Sequence, residues 1–136
     1  EDKPDGNVEY SGTADFDAYR SQELEWLKKA VQDPAFAEAP QKICVIHIPT
    51  YNEPNAWYGQ RWVSEHFMPV LNEAGVTLML SGHQHEWILV EKNKYGNNYE
   101  IIINDRCELL DFNSTASAIK VSVRDVNGNL KHEFAK

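Results

Sequence analysis

The pattern of apolar and polar residues places two buried strands on either side of a helix in the middle of the chain. Residues 43–48 form one apolar run, which carries His47 near its end, and a second run stops at a glycine that His83 and His85 follow. Between the two runs, residues 62–74 repeat apolar side chains at helical spacing. The order strand, helix, strand predicts a parallel crossover, in which the carboxyl ends of both strands lie at one edge of a sheet.

The first third of the chain is predicted to contain one helix. Residues 1–14 are polar and rich in turn formers, which is typical of an irregular entry segment. A helix is predicted over residues 17–32, because apolar residues recur there on one face and a proline follows Asp33. Residues 35–41 are predicted to form a loop. A second loop, residues 49–59, combines two prolines, a glycine and three aromatic residues, and it should overhang the end of the first strand.

The second half of the chain has the two-residue period of antiparallel strands. Residues 87–91 and 99–103 flank a polar hairpin loop, and apolar residues alternate with polar ones over residues 119–124. An Asn-Gly pair then predicts a tight turn into a last strand over residues 130–134. Together with the crossover, this pattern predicts an α/β fold with a single mixed sheet of about five or six strands and helices packed against it.

Length, composition and charge narrow the class of protein. A chain of 136 residues with 42% hydrophobic content has the size of one domain and enough apolar residues for a core. The net charge of −8 argues against a nucleic-acid backbone or an anionic membrane surface as the main partner, since both attract basic proteins. No apolar run is long enough to span a bilayer. Cys44 and Cys107 leave a disulfide open without indicating an oxidising compartment.

His47, His83 and His85 are the candidate metal ligands. They follow the carboxyl ends of neighbouring parallel strands, where open α/β sheets bind ligands, so we expect them to converge in one crevice. Imidazole is the commonest protein ligand for zinc and similar metals. The alternatives are an ordinary hydrogen-bonded strand histidine at position 47 and a turn without function at the Gly-His sequence. His66 is instead expected to be a surface or boundary residue of a helix, and His132 is expected to pack at the margin of a sheet.

The loop after the first histidine strand supplies candidate substrate contacts. Tyr51, Asn55 and Trp57 are predicted to line a substrate pocket, because the loop leaves the sheet next to His47. The alternative is that the aromatic side chains only hold the loop in place. Acidic residues near the start of the first helix, such as Asp17, are expected to be solvated charges that suit the positive end of a helix dipole.

Three landmarks in order resemble one enzyme family. They are a Gln-Glu-Leu-Glu-Trp-Leu sequence in the first helix, a strand that brings His47 to a following proline, and the Gly-His-Gln-His sequence of His83 and His85. Over residues 15–90 this set resembles the C-terminal part of the calcineurin-like metallophosphoesterases, which include the purple acid phosphatases. The resemblance implies about half of the four-layer α/β/β/α sandwich of that family.

The resemblance also implies a site with two divalent metal ions, of zinc, manganese or iron. By position in the motifs, His47 and His83 would bind one metal ion and His85 the other. Such a site would hydrolyse phosphate mono- or diesters with metal-activated water. Family members work both inside and outside the cytoplasm, so the resemblance leaves the compartment open.

The sequence departs from the family in its upstream motifs. Asp-x-His, Gly-Asp-x-x-Asp and Gly-Asn-His-Asp/Glu do not occur in it, so the bridging carboxylate and the acid/base residues are missing. Residues 1–136 are therefore expected to be the C-terminal part of a longer phosphohydrolase domain, inactive when alone and holding at most one weakly bound metal ion. The N-terminal half is then the expected partner, and the uncovered surface should drive self-association. Two alternatives stay open: a non-catalytic binding or assembly module, and a mononuclear zinc hydrolase with three histidine ligands.

Overall fold

The computed structural model describes residues 16–52 and 55–136 of the chain. The entry segment predicted over residues 1–14 lies outside this described part. None of the described helices is long and apolar enough to cross a membrane. The described elements are, in chain order, α1 (Phe16–Ala30), α2 (Pro34–Ala37), β1 (Ile43–Val45), α3 (Tyr58–Glu73), β2 (Leu78–Ser81), β3 (Ile88–Val90), β4 (Glu100–Ile103), β5 (Leu109–Ser114), β6 (Ile119–Arg124) and β7 (Leu130–Ala135).

Four strands form a mixed sheet in the order β1-β2-β4-β3. β1 and β2 are parallel, with Cys44 opposite Met79, and β2 is also parallel to β4, with Met79 opposite Ile101. β3 and β4 form an antiparallel hairpin, with Leu89 opposite Ile102. The predicted parallel crossover through α3 is therefore confirmed, and the carboxyl ends of β1 and β2 lie at the same edge of the sheet.

The last three strands form a separate antiparallel sheet in the order β5-β6-β7. Val121 of β6 lies between Phe112 of β5 and Phe134 of β7. The predicted Asn-Gly turn connects β6 to β7, and Gly128 in it has a φ of +85°, which glycine adopts without strain. This turn explains why the chain reverses tightly between the two strands.

The two central strands of the mixed sheet, β2 and β4, are buried on both faces, because their side chains alternate between two cores. Met79 packs with Phe67 of α3 in the core beneath the helices. Ile102 packs with Val121 and Val123 in the core between the two sheets. None of these five side chains is more than 3% exposed. The layers are therefore helices, mixed sheet and antiparallel sheet.

The predicted α/β class, with a mixed sheet and packed helices, is confirmed, but the strands divide into two sheets instead of one. The difference arises at β5, where only Leu110 is partly buried and the other residues are exposed. Such a segment lacks the alternating pattern that predicts a strand. Because β5 pairs with β6, it completes a second sheet that covers the outer face of the first.

The helices agree with the prediction for α1 and differ for the other two. α3 begins at Tyr58, so the loop predicted to precede it is shorter, and the carbonyl of Trp57 accepts the first helical hydrogen bond. α2 occupies part of a predicted loop. It forms because the Asp33 carboxylate accepts the amide of Ala35 at 2.8 Å, and because Pro34 suits the first helical turn.

Cys44, His66 and His132 each pack against apolar or aromatic side chains. Both cysteines are free, so the disulfide left open by the sequence is not formed. Cys44 packs against the core beneath the helices, and burial raises the pKa of its thiol to about 11. His66 stacks on Trp62 with 4.1 Å between ring centroids, and His132 stacks on Trp87 at 4.4 Å. Both side chains are partly buried, which agrees with the boundary position predicted for His66 and the margin packing predicted for His132.

Candidate metal centre

Backbone pairing beyond the ends of β1 and β2 brings His47 next to His83. The amide of Gly82 donates to the carbonyl of His47 at 3.2 Å, one residue after β2 ends. The Ser81 hydroxyl lies 2.7 Å from the carbonyl oxygen of Ile46 and 3.1 Å from that of His47. As a result, the two imidazole rings meet edge to face with 5.3 Å between their centroids. This pair was predicted from the parallel topology.

The turn after β2 carries backbone strain at two histidines. His83 has a φ of 77° and His85 a φ of 58°, both in the left-handed region. In that region a residue other than glycine or asparagine lowers the stability of the fold by on the order of 1 kcal/mol. Residues held in that region cluster at functional sites, where the surrounding structure maintains them. The backbone strain at His83 and His85 therefore favours a functional role for this turn over an ordinary connection.

Trp57 contacts His83 from the loop that precedes α3. Its indole N–H donates to Nε2 of His83 at 3.1 Å, and the ring centroids are 5.8 Å apart. Because Nε2 accepts this hydrogen bond, a neutral His83 carries its proton on Nδ1. Trp57 therefore selects one tautomer of the neutral ring of a candidate ligand, which the sequence alone did not indicate.

The separation of the two imidazole rings is compatible with two ligands of one metal ion, although their nitrogens are not arranged for ligation while the rings meet edge to face. Zinc–nitrogen bonds of about 2.0–2.1 Å at a tetrahedral angle place two imidazole centroids about 5 Å apart. The observed 5.3 Å between His47 and His83 agrees with that value. His85 is exposed, and in the described part of the chain no group of three or more His, Cys, Asp or Glu side chains is arranged to hold a metal ion. Metal binding by His47, His83 and His85 stays a prediction.

The loop residues predicted to contact substrate have different surroundings. Tyr51 is buried, packs on Tyr95 with 5.3 Å between ring centroids, and belongs to the core beneath the helices. Asn55 is exposed, and Trp57 is partly buried beside His83. A substrate role for the three residues stays a prediction. The burial of Tyr51 favours the alternative that this aromatic side chain holds the loop in place.

A buried hydrogen bond anchors the start of the same loop. The hydroxyls of Thr50 and Tyr99 lie 2.6 Å apart, and both residues are fully buried. Burial raises the pKa of Tyr99 well above its usual range, so its hydroxyl stays neutral. The side-chain amide of Gln60 also donates to the carbonyl of Tyr51 at 3.0 Å. The loop therefore leaves β1 along a fixed path.

Asp17 was predicted to be a solvated charge, and the structure corrects this. Its carboxylate accepts the hydroxyl of Tyr58 at 3.0 Å and pairs with Arg20 at 2.8 Å. Arg20 is buried and lies over the rings of Tyr58 and Trp62. A cavity of about 350 Å³ lies beside this cluster, lined in part by Arg20, His47 and Trp57.

The cluster therefore places an Asp17–Arg20 ion pair beside a cavity that His47 also lines, which the sequence did not indicate. The only local signal was the spacing of Asp17 and Arg20, which permits an ion pair within one helix. The contact with Tyr58 depends on how α1 packs against α3 and has no signal in the sequence.

Comparisons with known proteins give a partial sequence match and a fold match. No family model matches the chain. Purple acid phosphatase 18 of Arabidopsis thaliana is 33% identical over 86 residues, which make up 62% of this chain and 18% of that protein. The chain thus spans less than a fifth of the curated relative that it matches. This match indicates a distant relationship to a phosphohydrolase.

One solved structure has the same fold over most of the chain. Its title is "GAP50 the anchor in the inner membrane complex of Plasmodium", and it superposes with a TM-score of 0.58 at 15% identity. The similarity covers 92% of this chain and 45% of that chain. At this identity it shows the α/β fold alone.

Proposed function

We propose that the chain forms the histidine-bearing part of a metal-dependent phosphohydrolase that hydrolyses phosphate mono- or diesters. The observation that carries the proposal is the His47–His83 pair at the ends of adjacent parallel strands, with 5.3 Å between ring centroids. The partial similarity to a purple acid phosphatase supports the reaction class. Since the chain spans 18% of that relative, the activity belongs to a longer protein in this proposal.

In the proposed site, His47 and His83 hold one divalent metal ion and His85 contributes to a second. Zinc, manganese and iron all accept imidazole ligands. When bound, such ions polarise a phosphoryl oxygen and lower the pKa of water. The protein's own contribution is to fix the imidazoles on two paired strand ends, while Asn55 and Trp57 of the adjoining loop contact the phosphate ester.

The isolated chain is proposed to be nearly inactive and to bind at most one metal ion weakly. Neutral imidazoles do nothing to offset the repulsion between two close dications, which carboxylate ligands reduce. The carboxylate ligands and the acid/base residues would therefore come from sequence outside residues 1–136. Histidine alone would still give a mononuclear half-site.

The open edge of β1 is the proposed place where the remainder of the domain joins. Within the described residues β1 ends the mixed sheet on its side, and Val45 there is 78% exposed. A groove of about 240 Å³ lies beside it, lined by residues that include Trp26, Leu27, Ile43 and Phe67. An extended segment can pair with such an edge and cover the groove. When that segment is missing, the apolar surface is expected to drive self-association.

A non-catalytic binding or assembly module is the second candidate function. The observation that favours it is the open edge of β1, where Val45 is 78% exposed beside an apolar groove. In that case the His47–His83 pair would be structural and would bind no metal.

Calorimetric titration of the metal-stripped chain with Zn²⁺ and Mn²⁺ tests the metal site. We expect weak binding at one site, which His47→Ala and His83→Ala abolish. His66→Ala is the matched control, because His66 stacks on Trp62 in α3 and takes no part in the pair. Absence of binding, or binding that survives both substitutions, would contradict the proposal and favour the module.

Hydrolysis by the longer protein tests the reaction. The same substitutions should abolish cleavage of p-nitrophenyl phosphate or of its bis-ester, and the preferred compound would separate monoesterase from diesterase activity. A longer protein that cleaves neither compound when loaded with metal would leave only the module.

A further inference from the structure

The indole of Trp57 and a metal ion make incompatible demands on the imidazole of His83. Trp57 donates its Nε1–H to Nε2 of His83 at 3.1 Å, which requires a lone pair on Nε2. The proton of the neutral ring is then on Nδ1. In this state neither nitrogen is able to ligate a metal ion, because one carries a hydrogen and the other accepts the indole.

The conflict does not depend on which nitrogen the metal ion would take. Ligation through Nε2 uses the lone pair that now accepts the indole N–H. Ligation through Nδ1 moves the ring proton to Nε2, where it opposes the indole hydrogen, since two donors cannot bond to each other. The Trp57–His83 hydrogen bond therefore has to break in either case.

We propose that Trp57 is a positioning residue that holds His83 in a form that does not bind metal and is displaced when a metal ion binds. The inference rests on the metal site of the proposed function and adds a coupling between that site and the loop before α3. The carbonyl of Trp57 accepts the amide of Arg61 at 3.0 Å. Its backbone is thus tied to the helix, and the indole side chain is the part that moves.

The coupling gives the loop two states with different exposed groups. With the hydrogen bond intact, the indole lies beside the His83 ring, with 5.8 Å between centroids. When the bond is broken, the indole N–H becomes available to an acceptor near the metal site. A phosphate ester is such an acceptor, which is consistent with the substrate contact proposed for Trp57.

Trp57→Phe is the test, because it keeps an aromatic ring and removes the donor. Loss of a neutral hydrogen bond that competes with the metal ion should raise zinc affinity about three- to tenfold. Trp62→Phe is the matched control, since Trp62 stacks on His66 in the same helix and should leave zinc affinity unchanged. An affinity that is equal or lower in Trp57→Phe would overturn the inference.

The indole N–H resonance gives a second readout that does not need a variant to fold. In ¹H–¹⁵N spectra of the wild-type chain, the Trp57 indole resonance, assigned through its covalent connectivities, should shift upfield in proportion to bound Zn²⁺. If zinc binding requires His83 but the chemical shift of the Trp57 indole does not change, the inference is overturned and the metal site is supported. No zinc binding by either the wild type or Trp57→Phe would overturn both.

Discussion

The Ser81→Ala substitution tests whether one hydroxyl holds together the two strand ends that carry the histidine pair. Ser81 is 8% exposed, and its Oγ contacts the carbonyl oxygen of Ile46 at 2.7 Å and that of His47 at 3.1 Å. After the substitution the His47 carbonyl still accepts the amide of Gly82 at 3.2 Å. The Ile46 carbonyl loses the shorter hydroxyl contact.

The expected loss follows from the worth of a single neutral hydrogen bond. Such a bond contributes about 0.5–1.5 kcal/mol net, so the free energy of unfolding should fall by about 1 kcal/mol. With a urea dependence of about 1–3 kcal/mol per molar, the unfolding midpoint falls by about 0.3–1 M. If part of the binding free energy of zinc is used to bring the loosened strand ends together, zinc binding loses about 1 kcal/mol. The affinity of the chain for zinc then falls about fivefold.

The chain offers a matched control at the other end of the same two strands. Thr77 Oγ1 donates to the carbonyl of Lys42 at 3.0 Å and accepts the amide of Lys42 at 3.1 Å. Thr77→Val removes these bonds at the amino ends of β1 and β2, away from the histidines. It should lower stability by a similar amount and leave zinc affinity unchanged.

Urea unfolding followed by tryptophan fluorescence and zinc calorimetry measure the two effects separately. If Ser81→Ala changes neither quantity, the Ser81 hydroxyl does not hold the two strand ends together. If Thr77→Val weakens zinc binding as much as Ser81→Ala does, the histidine pair depends on overall stability and not on the local contact at Ser81.

Two further predictions concern the edge of the sheet and the buried thiol. Val45→Lys should shift the chain toward monomer in light scattering, because a charged edge opposes pairing. Val126→Lys is the control and should cause no such shift, since Val126 is 80% exposed between β6 and β7. A wild-type chain that stays monomeric when concentrated would contradict the edge proposal. The pKa of Cys44 is raised from 9.0 to about 11 by burial, so the folded state holds that proton more tightly and its stabilising effect, complete below pH 9, is lost as pH rises through 11. Urea unfolding across this range should show a smaller decline for Cys44→Ala than for the wild type or for Cys107→Ala, and equal declines would mean that Cys44 is not the group responsible.

The elements buried on both sides were predictable because burial leaves a pattern in the sequence. β2 is a continuous apolar run since one face packs on helices and the other on the second sheet. β6 alternates because only one of its faces is covered. β5 has almost no buried residue, so its place in the fold depends on pairing with β6, which no local pattern encodes.

The candidate site was predictable only as far as topology determines it. His47 and His83 follow parallel neighbouring strands, so their proximity follows from strand order. The contacts of Trp57 with His83 and of Asp17 with Tyr58 join residues far apart in the chain. They depend on the packing of a loop and two helices, which periodicity does not determine.

In the left-handed turn after β2, the residue that is best for stability differs from the residue that could bind metal. At His85, which is exposed and has a φ of 58°, glycine would relieve strain on the order of 1 kcal/mol. Directed evolution for heat resistance alone would therefore favour glycine at that position and remove an imidazole without any sign of harm to the fold. A library screened for thermal tolerance needs a parallel screen for metal binding, or it will enrich stable chains that have lost a candidate ligand.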